Sequence, residues 1–155
     1  MDALLASETT IADALVAALA AAGAKRIFGI PGGGSSLDVM EAAARRGLDF
    51  VLARTESAAA MMAAATSEIS GVPSAIVTGL GPGAANAVNG MAYAALDRAP
   101  VLIISDCFDA ETDSYVSHQV VDHAAMLRPF VKASRRLDAA DGGAEIAALL
   151  NLALT

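Results

Sequence analysis

The alternation of apolar runs and polar punctuation along the chain predicts a repeating strand–loop–helix order. Ile11, Leu15 and Leu19 recur every four residues behind Thr9 or Thr10, either of which can cap a helix, and Gly23 supplies a left-handed terminus. Residues 26–30 read as a short apolar strand, Pro31 to Gly34 as a loop, and Ser35 or Ser36 as the cap of a helix ending near Gly47. Two more units follow: a strand over 49–53 entering a helix over 57–70, and a strand over 74–78 entering a helix over 84–96, with turn signals at Gly71 and Pro100. Val101-Leu102-Ile103-Ile104-Ser105 is a continuous apolar run, as in a strand covered on both faces. A weaker strand is predicted over 130–134, and an amphipathic helix over 144–154 through Ile146, Leu149 and Leu150. This order predicts an α/β fold, a doubly wound, mostly parallel sheet with helices on both faces.

Composition narrows the function classes. With 155 residues, 55% hydrophobic and only 17% charged, the chain can bury a sizeable core as one domain over 1–155. A net charge of −7, with Lys and Arg clustered no further than pairs, argues against a nucleic-acid partner. Cys107 is the one cysteine, which excludes an internal disulfide and reads as a reduced, partly buried thiol; two histidines leave no zinc set, so no metal ligands are expected. Met1-Asp2 lacks the basic stretch of a secretory signal, and the apolar segment over 11–22 contains Asp13 and is too short to span a bilayer. A cytoplasmic protein with no membrane partner is expected. Between Asp106 and Gln119 the chain turns polar and acidic, which predicts an exposed loop.

Glu56 carries the chemical interest. It precedes two turns of small and apolar residues, Ser57 to Ala63, and a carboxyl group facing such a surface is poorly solvated, which raises its pKa and suits it to hold or share a proton. A plainer reading stands beside this one, in which Thr55 is an N-cap and Glu56 a first-turn acid that stabilises the helix dipole by about 0.3–1 kcal/mol. A Pro31-Gly32-Gly33-Gly34 loop lies upstream and a Gly79-Leu80-Gly81-Pro82-Gly83 loop downstream, each after a short apolar run. Three loops at strand ends suggest one cleft. For His123 a place in or capping a helix is expected, for Asn86 a bond within its own loop, and for Asp97 the turn at Pro100.

These residues also match a family pattern. Phe28-Gly29-Ile30-Pro31-Gly32-Gly33, Arg54-Thr55-Glu56, Gly81-Pro82-Gly83-Ala84-Ala85-Asn86 and Asp97 to Pro100, with Gln119 and Lys132, occur in family order and spacing. The chain resembles the N-terminal pyrimidine-binding domain of thiamine diphosphate-dependent enzymes of the acetolactate synthase, pyruvate oxidase and benzoylformate decarboxylase group. The resemblance implies catalytic roles for Glu56 and Gln119. It implies cofactor contacts from Pro31, Gly32, Gly33, Glu56, Gly81, Pro82, Gly83 and Asn86. Glu56 would hydrogen-bond the pyrimidine ring of thiamine diphosphate, in general acid–base work on a 2-oxo acid.

Departures from the family pattern bear on substrate and cofactor fit. Thr55 stands for a common histidine and Ser57-Ala58 for glutamine–glycine, while Gly33 and Gly79 occupy positions where some decarboxylases of the group place polar catalytic side chains. The glycine–aspartate–glycine motif with which relatives hold the diphosphate and Mg2+ is missing, so a separate diphosphate-binding domain or subunit is implied, with the chain an excised fragment or half of a split enzyme. A homodimer is implied as well, with Met61 and Met62 as interface or core residues. FAD is left open, and nothing in the sequence calls for it. Two other readings are weighed: a dinucleotide fingerprint, Gly79-x-Gly81-x-x-Ala84 with Asp106 as the acid after the next strand, and a non-catalytic interaction domain of the same fold. Pro82 stiffens the loop of that fingerprint, which also follows the third strand rather than the first.

Overall fold

The computed structural model describes residues 10–113, 115–137 and 142–155. Four parallel strands form its sheet: β1 (Arg26–Gly29), β2 (Asp49–Leu52), β3 (Ser74–Thr78) and β4 (Val101–Ser105), in the order β2-β1-β3-β4. The helices are α1 (Ile11–Ala21), α2 (Ser35–Arg45), α3 (Glu56–Ser70), α4 (Pro82–Leu96), α5 (Ala110–Asp113), α6 (His123–Leu127) and α7 (Gly142–Leu154). The doubly wound α/β expectation is met, and all the pairings are parallel.

Period-two alternation within the strands builds a core on each face. Ile27, Ala75 and Val77 face Leu15, Val16 and Leu19 of α1, Val39 and Ala42 of α2, and Ile146 and Leu150 of α7. Phe28 and Ile76 point the other way, onto Ala59, Ala60 and Ala63 of α3, Ala87 and Met91 of α4, and Leu127 of α6. The alanines matter because they let α3 and α4 approach closely. At Gly90 of α4 an added Cβ would lie 2.5 Å from the Ala60 Cβ and 2.5 Å from the Ser57 carbonyl oxygen.

Helix ends follow local chemistry in most cases. The Thr10 Oγ1 accepts from the Asp13 N–H at 3.1 Å and caps α1, while Thr9, the alternative cap, lies outside the described residues. Thr55 caps α3 by accepting from the Ala58 N–H at 3.1 Å, and Gly71 ends it in the left-handed region. Asp97 ends α4 through its backbone: the turn toward Pro100 is closed by the backbone bonds of Asp97, Arg98 and Ala99, with Arg98 at φ 58, and the nearby Asp97 carboxylate raises the Tyr93 pKa above the ordinary 10.0.

Three further expectations are corrected. Residues 130–134 form no strand. Phe130 and Val131 pack into the second core, and the Lys132 Nζ donates to the Leu152 carbonyl at 3.0 Å, so the segment is held by side chains rather than by a ladder. The stretch after β4 is not simply an exposed loop: Asp106 is 5% exposed, and Asp109 caps the short α5 by accepting from the Thr112 N–H at 2.7 Å. Cys107 is exposed rather than partly buried. Met61 and Met62 lie outside the core, at 38% and 36% exposure. Among the described residues no helix is long and apolar enough to cross a membrane.

Two measurements test this packing. Gly90→Val should cost about 1–3 kcal/mol or more, because the new side chain meets α3 at contact distance, and urea denaturation reads the loss. His123 opens α6 with a buried Nε2 that has no hydrogen-bond partner among the described residues, and desolvation lowers its pKa below the ordinary 6.5, against a smaller raising effect of Asp122. The folded state therefore favours neutral imidazole. Stability should be full above pH 6.5 and fall as pH drops from 6.5 toward the lower folded pKa, and His123→Leu should flatten that slope in denaturation curves taken between pH 5 and 8, about the range over which an imidazole titrates.

Candidate functional site

The chain runs from β1 outward to β2 and then crosses to β3 on the other side of β1, so the strand order reverses between β1 and β3. Loops leaving the carboxyl ends of such strands diverge and open a crevice. Here it is a cleft of about 480 Å³, lined by Ile30 to Gly34 after β1, Glu56 at the start of α3, Gly79, Leu80 and Gly83 after β3, Asp106 to Phe108 after β4, and Gln119. The three loops singled out in the sequence thus meet, joined by a fourth after β4.

Glu56 is half-buried at the first position of α3. Its Oε2 accepts from the Asn86 Nδ2 at 2.5 Å, and the Ser57 hydroxyl donates to the Asn86 carbonyl, so the first turns of α3 and α4 are tied together on either side of the acid. The Glu56 Oε1 lies 3.3 Å from where a Cβ of Gly83 would stand, so the carboxyl group rests over bare backbone. Glu56 is thus a first-turn acid behind the Thr55 cap, as in the plainer reading, and it also lines the cleft. Asn86 serves Glu56 rather than its own loop.

The other predicted site residues divide in two. Pro31, Gly32, Gly33, Gly83 and Gln119 line the cleft with Glu56, whereas Gly81, Pro82 and Asn86 are not among its lining residues. Gly81 has φ 30, and a Cβ there would strike the Gln119 carbonyl oxygen, so this glycine lets the Gln119 segment close over the third loop. Pro82 occupies the first turn of α4, where its missing N–H costs nothing.

Asp106 is the residue whose place in this site went unrecognised in the sequence. Neither Ser35 nor Ser36 caps α2 with its own side chain; Gly34 holds the cap position and has none. The cap comes from 70 residues downstream, where the Asp106 Oδ1 accepts from the Ser36 N–H at 2.6 Å and the Ser35 hydroxyl at 2.8 Å, and Oδ2 from the Ser36 hydroxyl at 2.8 Å. Its position directly after the apolar run of β4, level with the other loops, is the signal that could have found it.

Charge and size define what the cleft can take. Among the described residues two carboxylates line it, Glu56 and Asp106, and no Lys, Arg or His does. Glycines at 32, 33, 34, 79 and 83 leave room for a flat ring against backbone, and an added Cβ at Gly33 would meet nothing within 4 Å. A neutral or cationic heterocycle fits this donor and acceptor set, and a diphosphate does not. A larger groove, about 1510 Å³, runs beside β4 along residues 129–137 and the end of α7. It shares Leu80, Cys107, Phe108 and Gln119 with the cleft and does not include Glu56.

Residues 9–126 match the family model described as thiamine pyrophosphate enzyme, N-terminal TPP binding domain. The chain belongs to this family. The acetolactate synthase isozyme 3 large subunit of Escherichia coli (strain K12) is 36% identical over 124 residues, covering 79% of this chain and 21% of that protein. A 2-hydroxyacyl-CoA lyase of Oryza sativa subsp. japonica is 32% identical over 115 residues, 74% of this chain and 20% of that one. The chain thus spans about a fifth of the length of these curated relatives. In structure it resembles the Rhodococcus jostii RHA1 thiamine diphosphate-dependent 4-hydroxybenzoylformate decarboxylase, with a TM-score of 0.83 over 94% of this chain and 28% of the other, at 23% identity, a likeness of fold. The dinucleotide alternative is not favoured: in the TPP-binding fold of this chain Asp106, the acid it required, spends its carboxylate on Ser35 and Ser36.

Because Cys107 borders the cleft and is exposed, a neutral aromatic disulfide should titrate one thiol per chain in the native state without a denaturant-dependent lag, and an unreactive native thiol would contradict its placement.

Proposed function

We propose that this domain holds the aminopyrimidine end of thiamine diphosphate in the cleft at the β1/β3 switch point, with Glu56 as the hydrogen-bonding acid. The observation that carries the reading is the Glu56 carboxylate, fixed by Asn86, resting over Gly83 at the mouth of a cleft that has no basic residue in its lining. When bound, the cofactor supplies carbanion stabilisation for chemistry beside a carbonyl. Glu56 holds or moves a proton at a carboxyl oxygen, Asn86 keeps that carboxyl from swinging away, and Ile30, Leu80 and Phe108 exclude water. Gln119, at the exposed rim, is the residue placed to reach a substrate.

The diphosphate and its Mg2+ need positive charge that this cleft lacks, so a separate diphosphate-binding domain or subunit completes the site. Activity on a 2-oxo acid, by decarboxylation or acetolactate-type carboligation, belongs to that assembled enzyme. Pairing of two copies through the outer face of α3, where Met61 and Met62 are exposed, and a cytoplasmic location are parts of the same reading.

Calorimetry on this chain separates the two ends of the cofactor. Thiamine and thiamine diphosphate with Mg2+ should bind alike within about threefold, both no tighter than high micromolar, since one or two hydrogen bonds and a stacked ring carry the contact. Glu56→Gln should weaken both equally. Micromolar or tighter binding that depends on the diphosphate would overturn the proposal.

A further inference from the structure

We infer that Asp106 is a positioning residue, which through Ser36 latches the Pro31–Gly34 loop to the end of β4 and so sets the cleft wall opposite Glu56. The inference rests on the reading of the cleft as a pyrimidine site for what the wall contacts, and on geometry alone for the latch. Asp106 is 5% exposed, and its acceptor bonds all go to residues 70 or 71 positions earlier in the chain. A carboxylate can only accept, which fixes the direction of every bond around it. The Ser36 O–H donates to Asp106 Oδ2 at 2.8 Å, and the Ser36 Oγ is then free to accept from the Gly32 N–H at 2.9 Å. One hydroxyl thereby relays the position of β4 to the middle of the β1 loop.

Gly32 also packs closely on both neighbours. A Cβ there would stand 2.5 Å from Asp106 Oδ2 and 3.0 Å from the Gly79 Cα, so the loop backbone lies against the carboxylate and against the loop after β3. A side-chain cap at position 34 would have satisfied the α2 N-terminus locally. Drawing the acceptor from β4 instead couples the β1 and β4 loops, and the contact at Gly79 brings in the β3 loop. Cap and relay can be separated experimentally, because the Ser36 N–H and the Ser35 hydroxyl serve the helix whereas the Ser36 hydroxyl alone serves Gly32.

Ser36→Ala removes the relay and keeps the cap. By amide hydrogen exchange, the Gly32 N–H should exchange about tenfold faster while mid-α2 amides such as Ala42 and Ala43 are unchanged. Thiamine, titrated by NMR shift perturbation, should bind about fivefold more weakly, the scale of one lost hydrogen bond. Ser36→Thr, which restores the hydroxyl, should recover both. Asp106→Asn should reproduce the Gly32 effect and also loosen the first turn of α2. Unchanged Gly32 exchange in Ser36→Ala, or faster exchange with undiminished thiamine affinity, would overturn the positioning role. Glu56→Gln should weaken thiamine binding and leave Gly32 exchange intact. Should the unaltered chain not take thiamine, the pyrimidine-site reading fails while the Gly32 amide still decides the latch.

Discussion

The site depends on how closely α3 and α4 can approach. Ala59, Ala60 and Ala63 on one helix and Ala87 and Gly90 on the other leave no bulky side chain at the seam, and Gly90 lies where even a methyl group would collide with Ala60. That approach brings the first turns of both helices side by side, so that Asn86 reaches the Glu56 carboxylate and Ser57 reaches the Asn86 carbonyl. A wider seam would leave Glu56 an ordinary first-turn acid in solvent. The alanine content of the chain is therefore a geometric requirement of its site.

The second constraint is electrostatic. Placing two carboxylates around a glycine-walled cleft, with no cation in the lining among the described residues, makes the cavity receptive to hydrogen-bond donors and positive charge and unreceptive to phosphate. Membership of the TPP-binding family names the cofactor, and this charge distribution is the ground for proposing its pyrimidine end here. The two acids play unequal parts. Glu56 keeps one oxygen toward the cleft, whereas Asp106 has both oxygens occupied by serine donors and acts on the backbone.

Much of this was legible along the chain. The helix caps at Thr10 and Thr55, the left-handed stop at Gly71 and the four strands are local events, settled within a few residues, and local patterns report them faithfully. The segment over 130–134 misled because an apolar pair reads alike whether it enters a ladder or packs a core. Asp106 misled for a related cause: in sequence it opens an acidic stretch, and its burial follows from serines 70 residues away.

By itself the sequence determined the alternation of strands and helices, the two-sided apolar character of the sheet and the three loops that meet at the cleft, since these depend on periodicity and on the placing of glycine and proline. Tertiary structure alone decided that Asn86 meets Glu56, that Gly81 lies against the Gln119 segment, and that α2 takes its cap from Asp106 just after β4. Those outcomes depend on distances between segments far apart in the chain, which are set when the parallel strands pair and the two helical layers close on them.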